Sequence, residues 1–275
     1  FLLMFIPLYP KLPLLDVKNT WVYIRAEDFL VIFVLALWLF LFFKKKVIIK
    51  TPLTLVIMIY WLIGVLATIH GVILIFPQTS NVFPNVAFLS FLRHVEYASL
   101  FFVAYSGMKD KKFLSAIIGI LVFTLLLVIF YGIGQKYLGF PAYLTMNEEF
   151  AKGLPIRLSQ LSRVPSTFAG HYDLAAYLVL ILPILTSLIF GFRNWLVKII
   201  ILATVVLGFG LLFMTVSRVS VFVLLIALFI VLFFQNKKIF VLSFPIVAIL
   251  AFLFLSFQPA LLSRFGNTVK EINVL

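Results

Sequence analysis

Long apolar stretches separated by short polar punctuation dominate the chain. Runs near 29–43, 53–76, 88–106, 113–133, 170–190, 195–213, 219–234 and 239–257 are predominantly apolar, most of them rich in Phe, Leu, Ile and Val. Most approach or exceed the roughly 18 residues that separate a membrane span from a buried core helix. In hydrocarbon such runs form helices or a closed barrel, since lipid offers unpaired backbone groups no hydrogen-bond partner. A barrel needs alternating polarity, and the run over 113–130 has none. The pattern therefore predicts an all-α, polytopic integral membrane protein with about eight full spans.

Residue 1 is Phe, and residues 1–9 read as the last turns of a further span, so the chain is expected to be a fragment. It lacks the charged leader, short apolar core and small-residue cleavage site of a signal peptide. The expected organisation is one transmembrane domain over 1–257, with an outward loop at 134–169, and the start of a truncated periplasmic or extracellular loop at 258–275.

Composition agrees with this reading. The 275 residues are 64% hydrophobic and 11% charged, with a mean hydropathy of +1.23, well outside the mix of a soluble domain. A formal charge of +13 raises the question of a nucleic-acid partner. The basic residues, however, fall in short clusters between spans, not in a stripe along one face, so no nucleic acid is expected. Their placement sets topology instead. Lys44, Lys45, Lys46 and Lys50, then Lys109, Lys111 and Lys112, then Arg193 and Lys198, then Lys237 and Lys238 occupy alternate loops. The positive-inside bias makes these the cytoplasmic loops. Cysteine is absent, which removes disulfides and thiolate chemistry.

The loop over 134–169 is long enough to carry function. Its segment 147–161 mixes Glu148, Glu149, Lys152 and Arg157 with Phe150, Leu154, Ile156, Leu158 and Leu161. That mixture predicts an amphipathic piece on the membrane surface, interrupted by Pro155.

Charges at membrane depth or at a cavity rim are functional candidates because their burial is costly. Where the outward loop turns into a span, the chain reads Arg163-Val-Pro-Ser-Thr-Phe-Ala-Gly-His171-Tyr-Asp173. Arg163 offers a planar fork of donors to a phosphate, and the following helix N-terminus adds backbone donors and a favourable dipole. A structural alternative has Ser166 or Thr167 capping the helix, Asp173 offsetting the dipole and Arg163 touching lipid headgroups. A second candidate is the hairpin Thr215-Val-Ser217-Arg218-Val-Ser220, where one cation is bordered by hydroxyls. It suits a compact anion site, with interfacial snorkelling as the alternative.

Arg93 and Glu96 share a helical face at i and i+3, and an internal ion pair between them is expected. His70 is expected to be a packed, hydrogen-bonded histidine. Ser263-Arg264 lies just beyond the last span and is either a third basic contact or an interfacial anchor. The sequence contains no phosphate-binding glycine loop, HExxH, nucleophile elbow or carboxylate cluster suited to a divalent ion. Neither a metal nor a cofactor is expected.

Taken together, the Arg163, Ser166, Thr167 and Phe168 pattern, the Gly170, His171, Asp173 and Ala175 helix start, and the Thr215, Ser217 and Arg218 hairpin resemble the O-antigen ligase and polymerase superfamily. The resemblance covers roughly residues 20–275, and departs where members usually show Pro-Asn and this chain has Tyr172-Asp173. It implies a GT-C-like, metal-independent membrane glycosyltransferase on the outer face of the bacterial cytoplasmic (inner) membrane. Such an enzyme moves a glycan from an undecaprenyl diphosphate carrier to a lipid, polysaccharide or protein acceptor. The resemblance also implies that Arg163, Arg218 and, as a lesser candidate, Arg264 bind the diphosphate, with Ser166, Thr167, His171, Asp173 and Ser217 in support. The acceptor-activating His is expected beyond residue 275. The competing expectation is a transporter or flippase for a lipid-linked anionic substrate, against which the spans after residue 113 carry almost no polar groups at mid-membrane. A noncatalytic membrane scaffold is the third.

Overall fold

The structure is a computed structural model and describes residues 1–20, 22–47, 50–79, 82–108, 112–145 and 147–235. The expected span at 239–257, the loop at 258–275 and Lys109, Lys111, Lys237, Lys238, Ser263 and Arg264 lie outside these residues.

Among the described residues the helices are α1 (Leu2–Leu8), α2 (Ala26–Phe43), α3 (Thr54–His70), α4 (Pro84–Gly107), α5 (Lys112–Tyr137), α6 (His171–Gly191), α7 (Trp195–Met214) and α8 (Arg218–Gln235). Seven helical segments are long and apolar enough to cross a membrane, so the chain is a polytopic α-helical membrane protein by length and composition. Their bounds follow the apolar runs to within a few residues. The second span continues past α3 through a π-turn, Gly71–Ile75, and a 3-10 turn, Phe76–Gln78. Pro77 explains the change of pitch, because its ring cannot sit against the carbonyl of the preceding α-turn.

The described residues divide into two compact units, the first within 1–5 and 12–119, the second comprising 6–11 and those from 120 onward. In the first unit α4 packs against α2 and α3. Trp38 Nε1 donates to Ser106 Oγ at 3.1 Å, and the Phe102 ring lies against both Trp38 and Trp61. The start of α2 is fixed by the backbone N–H of Arg25 donating to Asp28 Oδ2 at 2.9 Å. Glu27 and Asp28 also place negative charge in the first turn, where the helix dipole favours it.

In the second unit α6 packs against α7 and α8. Its buried positions are His171, Leu174, Ala175, Leu178, Ile181, Leu182, Leu185 and Thr186, a stripe at the 3.6 period. The opposite face is equally apolar but open, with Leu180 65% exposed. A helix apolar all round suits lipid. Leu125, Val128 and Ile129 of α5, Leu211 and Leu212 of α7 and Leu224 of α8 complete this core. Close approach is secured by glycine: a Cβ at Gly208 would lie 2.7 Å from Leu182 Cδ2, and one at Gly132 would lie 2.6 Å from Leu211 Cδ1.

The segment 147–161 is not one continuous helix, as Pro155 leads one to expect. It holds a 3-10 turn, Phe150–Lys152, and a two-residue strand, Ile156–Arg157, paired antiparallel with Pro141–Ala142. Gly153, at φ +75°, and Pro155 keep a helix from propagating.

Candidate functional site

The loop that carries Arg163 is held in place by five groups. Lys136, in the last turn of α5, donates to the carbonyls of Gln160 and Ser162, the latter at 3.2 Å. Gln135 is fully buried, and its Nε2 donates to the carbonyls of Ser166 at 2.9 Å and Pro141 at 3.0 Å. The Ser166 hydroxyl donates to the carbonyl of Val128 at 2.7 Å, and that of Thr167 to the carbonyl of Pro7 at 2.5 Å. Finally, the backbone N–H of Val164 donates to the carbonyl of Met214 at 3.1 Å.

These bonds replace the alternative in which Ser166 or Thr167 caps α6. The N-cap of α6 is Gly170, in extended backbone and without a side-chain cap. Ser166 and Thr167 instead satisfy carbonyls of α5 and α1. The Ser166 carbonyl is itself bound by Gln135, so the turn is fixed from both sides.

The last attachment relates the two arginine motifs. Met214 ends α7, and Arg218 begins α8. The intervening turn is compact: Thr215 Oγ1 donates to the carbonyl of Leu212 at 2.7 Å and accepts the backbone N–H of Ser217 at 3.3 Å. Ser217 Oγ and Ser220 Oγ lie 2.7 Å apart. Thr215 and Ser217 are buried and Arg218 is half-buried. The loop preceding α6 and the turn preceding α8 are thereby joined edge to edge.

Both motifs hold a residue in the left-handed region, Ser166 at φ 52° and Val216 at φ 59°. For a β-branched residue such as Val216 this is a strained conformation, of the kind that persists where the surrounding structure enforces it.

Arg163 is half-buried, and one terminal nitrogen lies 2.7 Å from Nε2 of the buried His171 and 3.4 Å from the Tyr172 hydroxyl. Asp173 follows as an exposed carboxylate in the first turn of α6, a position favoured by the helix dipole. Beside the loop lies a cavity of about 300 Å³ lined by Leu8, Phe130, Tyr131, Tyr143, Ser166 and Thr167, among others. Tyr131 closes one part of it by donating to the Pro141 carbonyl at 2.7 Å.

Sequence reasoning missed Lys11, Tyr131, Gln135 and Lys136. Lys11 is buried and donates to the carbonyl of Ile6 at 2.9 Å, in the last turns of α1. The available signal was the polar Gln135-Lys136 pair closing an otherwise apolar span.

The other candidates stand elsewhere. Arg93 pairs with Asp28 of α2 at 3.2 Å, not with Glu96; at i and i+3 the two share a face, but Asp28 presents its carboxylate from a neighbouring helix. Glu96 Oε1 is buried without a partner. His70 is exposed at the end of α3, not packed. Among the described residues, no three His, Cys, Asp or Glu side chains gather as a metal site. No family model, curated protein or solved structure matches the chain.

Proposed function

We propose that the chain is the membrane part of a metal-independent glycosyltransferase of the O-antigen ligase and polymerase type, with Arg163 and Arg218 holding the diphosphate of an undecaprenyl-linked glycan. The observation that carries this reading is the Val164 to Met214 hydrogen bond, which joins the Arg163 loop to the helix end preceding Arg218. Two arginines on adjoining, internally braced turns suit a diphosphate better than two independent lipid headgroups, because the turns that carry them are fixed before the ligand arrives.

In the reaction, an acceptor hydroxyl oxygen forms a bond to the sugar's anomeric carbon as the bond from that carbon to the diphosphate oxygen breaks. Negative charge grows on the departing diphosphate. Fixed cations aimed at that charge stabilise the transition state more than the ground state. The hydroxyl proton goes to a base that this reading places beyond residue 275, on the outer face of a bacterial cytoplasmic membrane. His171 is not that base here, because its Nε2 is engaged with Arg163.

The test is transfer by the full-length protein carrying Arg163→Ala or Arg218→Ala, at equal abundance. Loss of transfer with donor accumulating on the outer face is the expected result. Undiminished transfer in both variants would sink the diphosphate site, and a donor trapped on the inner face would indicate a flippase.

A further inference from the structure

The turn that ends α2 carries cations that neither the core nor the arginine motifs use. Lys44, Lys45, Lys46 and Lys50 are exposed, and among the described residues no carboxylate pairs with any of them. The chain has no Asp or Glu between Asp28 and Glu96, so this charge is not balanced locally.

The backbone closes as a Schellman turn. The N–H of Lys46 donates to the carbonyl of Leu41 at 3.0 Å, and that of Lys45 to the carbonyl of Phe42 at 2.8 Å. Lys45 is left-handed at φ 57°, a position that glycine usually fills because it has no Cβ to clash. Lys46 follows at the place where an apolar residue commonly packs back on the helix. Both positions hold a residue that the turn by itself does not select.

Two structural roles fall short of explaining this. The dipole at a helix C-terminus amounts to about half an elementary charge, and Lys44, Lys45 and Lys46 supply several times that. Topology requires cations near the end of the span, but it is indifferent to whether one of them occupies the left-handed position. Directly after a helix long and apolar enough to span, these ammonium groups stand at the level of lipid phosphates. Lys44 Nζ lies 4.5 Å from the centroid of the Phe40 ring, which ties the first cation to the end of the span. We propose that the turn after α2 binds the headgroup of an anionic phospholipid, with Lys44, Lys45 and Lys46 engaging its phosphate oxygens. The proposal is independent of the glycosyltransferase reading.

Native mass spectrometry of the full chain in detergent, with phosphatidylglycerol, cardiolipin and phosphatidylcholine as separate probes, tests it. Both anionic lipids are expected to be retained better than phosphatidylcholine, each lysine contributing about fivefold. Lys45→Gly is expected to weaken phosphatidylglycerol retention about fivefold while leaving the lipid-free unfolding midpoint at or above that of the parent, since glycine fits φ 57°. Lys45→Arg is expected to retain binding. The triple variant Lys44→Gln, Lys45→Gln, Lys46→Gln, with its folding checked by thermal unfolding, is expected to lose the preference for anionic lipid. Lys152→Gln, at another exposed lysine, is expected to leave retention unchanged. Equal retention of all three probes, unchanged retention in the folded Lys45→Gly or triple variant, or an equal loss in Lys152→Gln overturns the proposal.

Discussion

The guanidinium of Arg163 donates to Nε2 of His171 at 2.7 Å. Arginine has no acceptor, so Nε2 carries a lone pair and the ring proton of the neutral imidazole resides on Nδ1. The histidine thus orients the arginine that the proposed chemistry requires, and does so from a buried position at the first turn of α6.

Replacing His171 with Phe keeps a buried ring and removes the acceptor. Transfer is expected to fall about tenfold, the value of one hydrogen bond to a charged group, while the midpoint of thermal unfolding moves little. His171→Gln, whose amide oxygen accepts, is expected to recover part of the loss. Initial transfer rates in membrane vesicles, compared with unfolding of the same preparations, separate an orienting role from a structural one.

Arg163→Lys and Arg218→Lys conserve charge but lose the planar fork. Each is expected to lower transfer about 10- to 100-fold, because an ammonium engages a diphosphate as a point charge. Full activity in both lysine variants would refute bidentate binding.

Gly132→Ala is expected to destabilise the protein by about 1–3 kcal/mol through overpacking, since the added methyl meets the fully buried Leu211 at 2.6 Å and also approaches Val164 and Ser166 at 3.4 Å. Gly210→Ala is the control, with nothing within 4 Å of its added methyl. There the gain in helix propensity should leave stability unchanged or slightly higher. Equilibrium unfolding of both variants in mixed detergent decides between the outcomes.

Val216→Gly relieves the left-handed backbone at φ 59°. Release of strain outweighs the added freedom of the unfolded chain, for a net stabilisation of about 1 kcal/mol. If the strain holds the Ser217-Arg218 turn in its working form, the same variant transfers glycan more slowly. Lower stability would show that Val216 is held there by favourable packing.

The sequence by itself determined the spans. Among the described residues, seven of the apolar runs lie in helical segments long enough to cross a membrane, because a helix in lipid satisfies its backbone internally and needs no distant partner to do so. The arginine motifs were legible for the same reason: their residues are adjacent in the chain. Only the tertiary structure decided which side chains meet. Arg93 found Asp28 on α2 instead of Glu96 on its own helix, Ser166 and Thr167 turned to carbonyls of α5 and α1 instead of capping α6, and Gln135 and Lys136 became the clamps of the Arg163 loop. Those outcomes depend on which helix faces come together. Helix faces that are apolar all round leave that choice to shape and to a few buried polar groups, which periodicity along one segment does not encode.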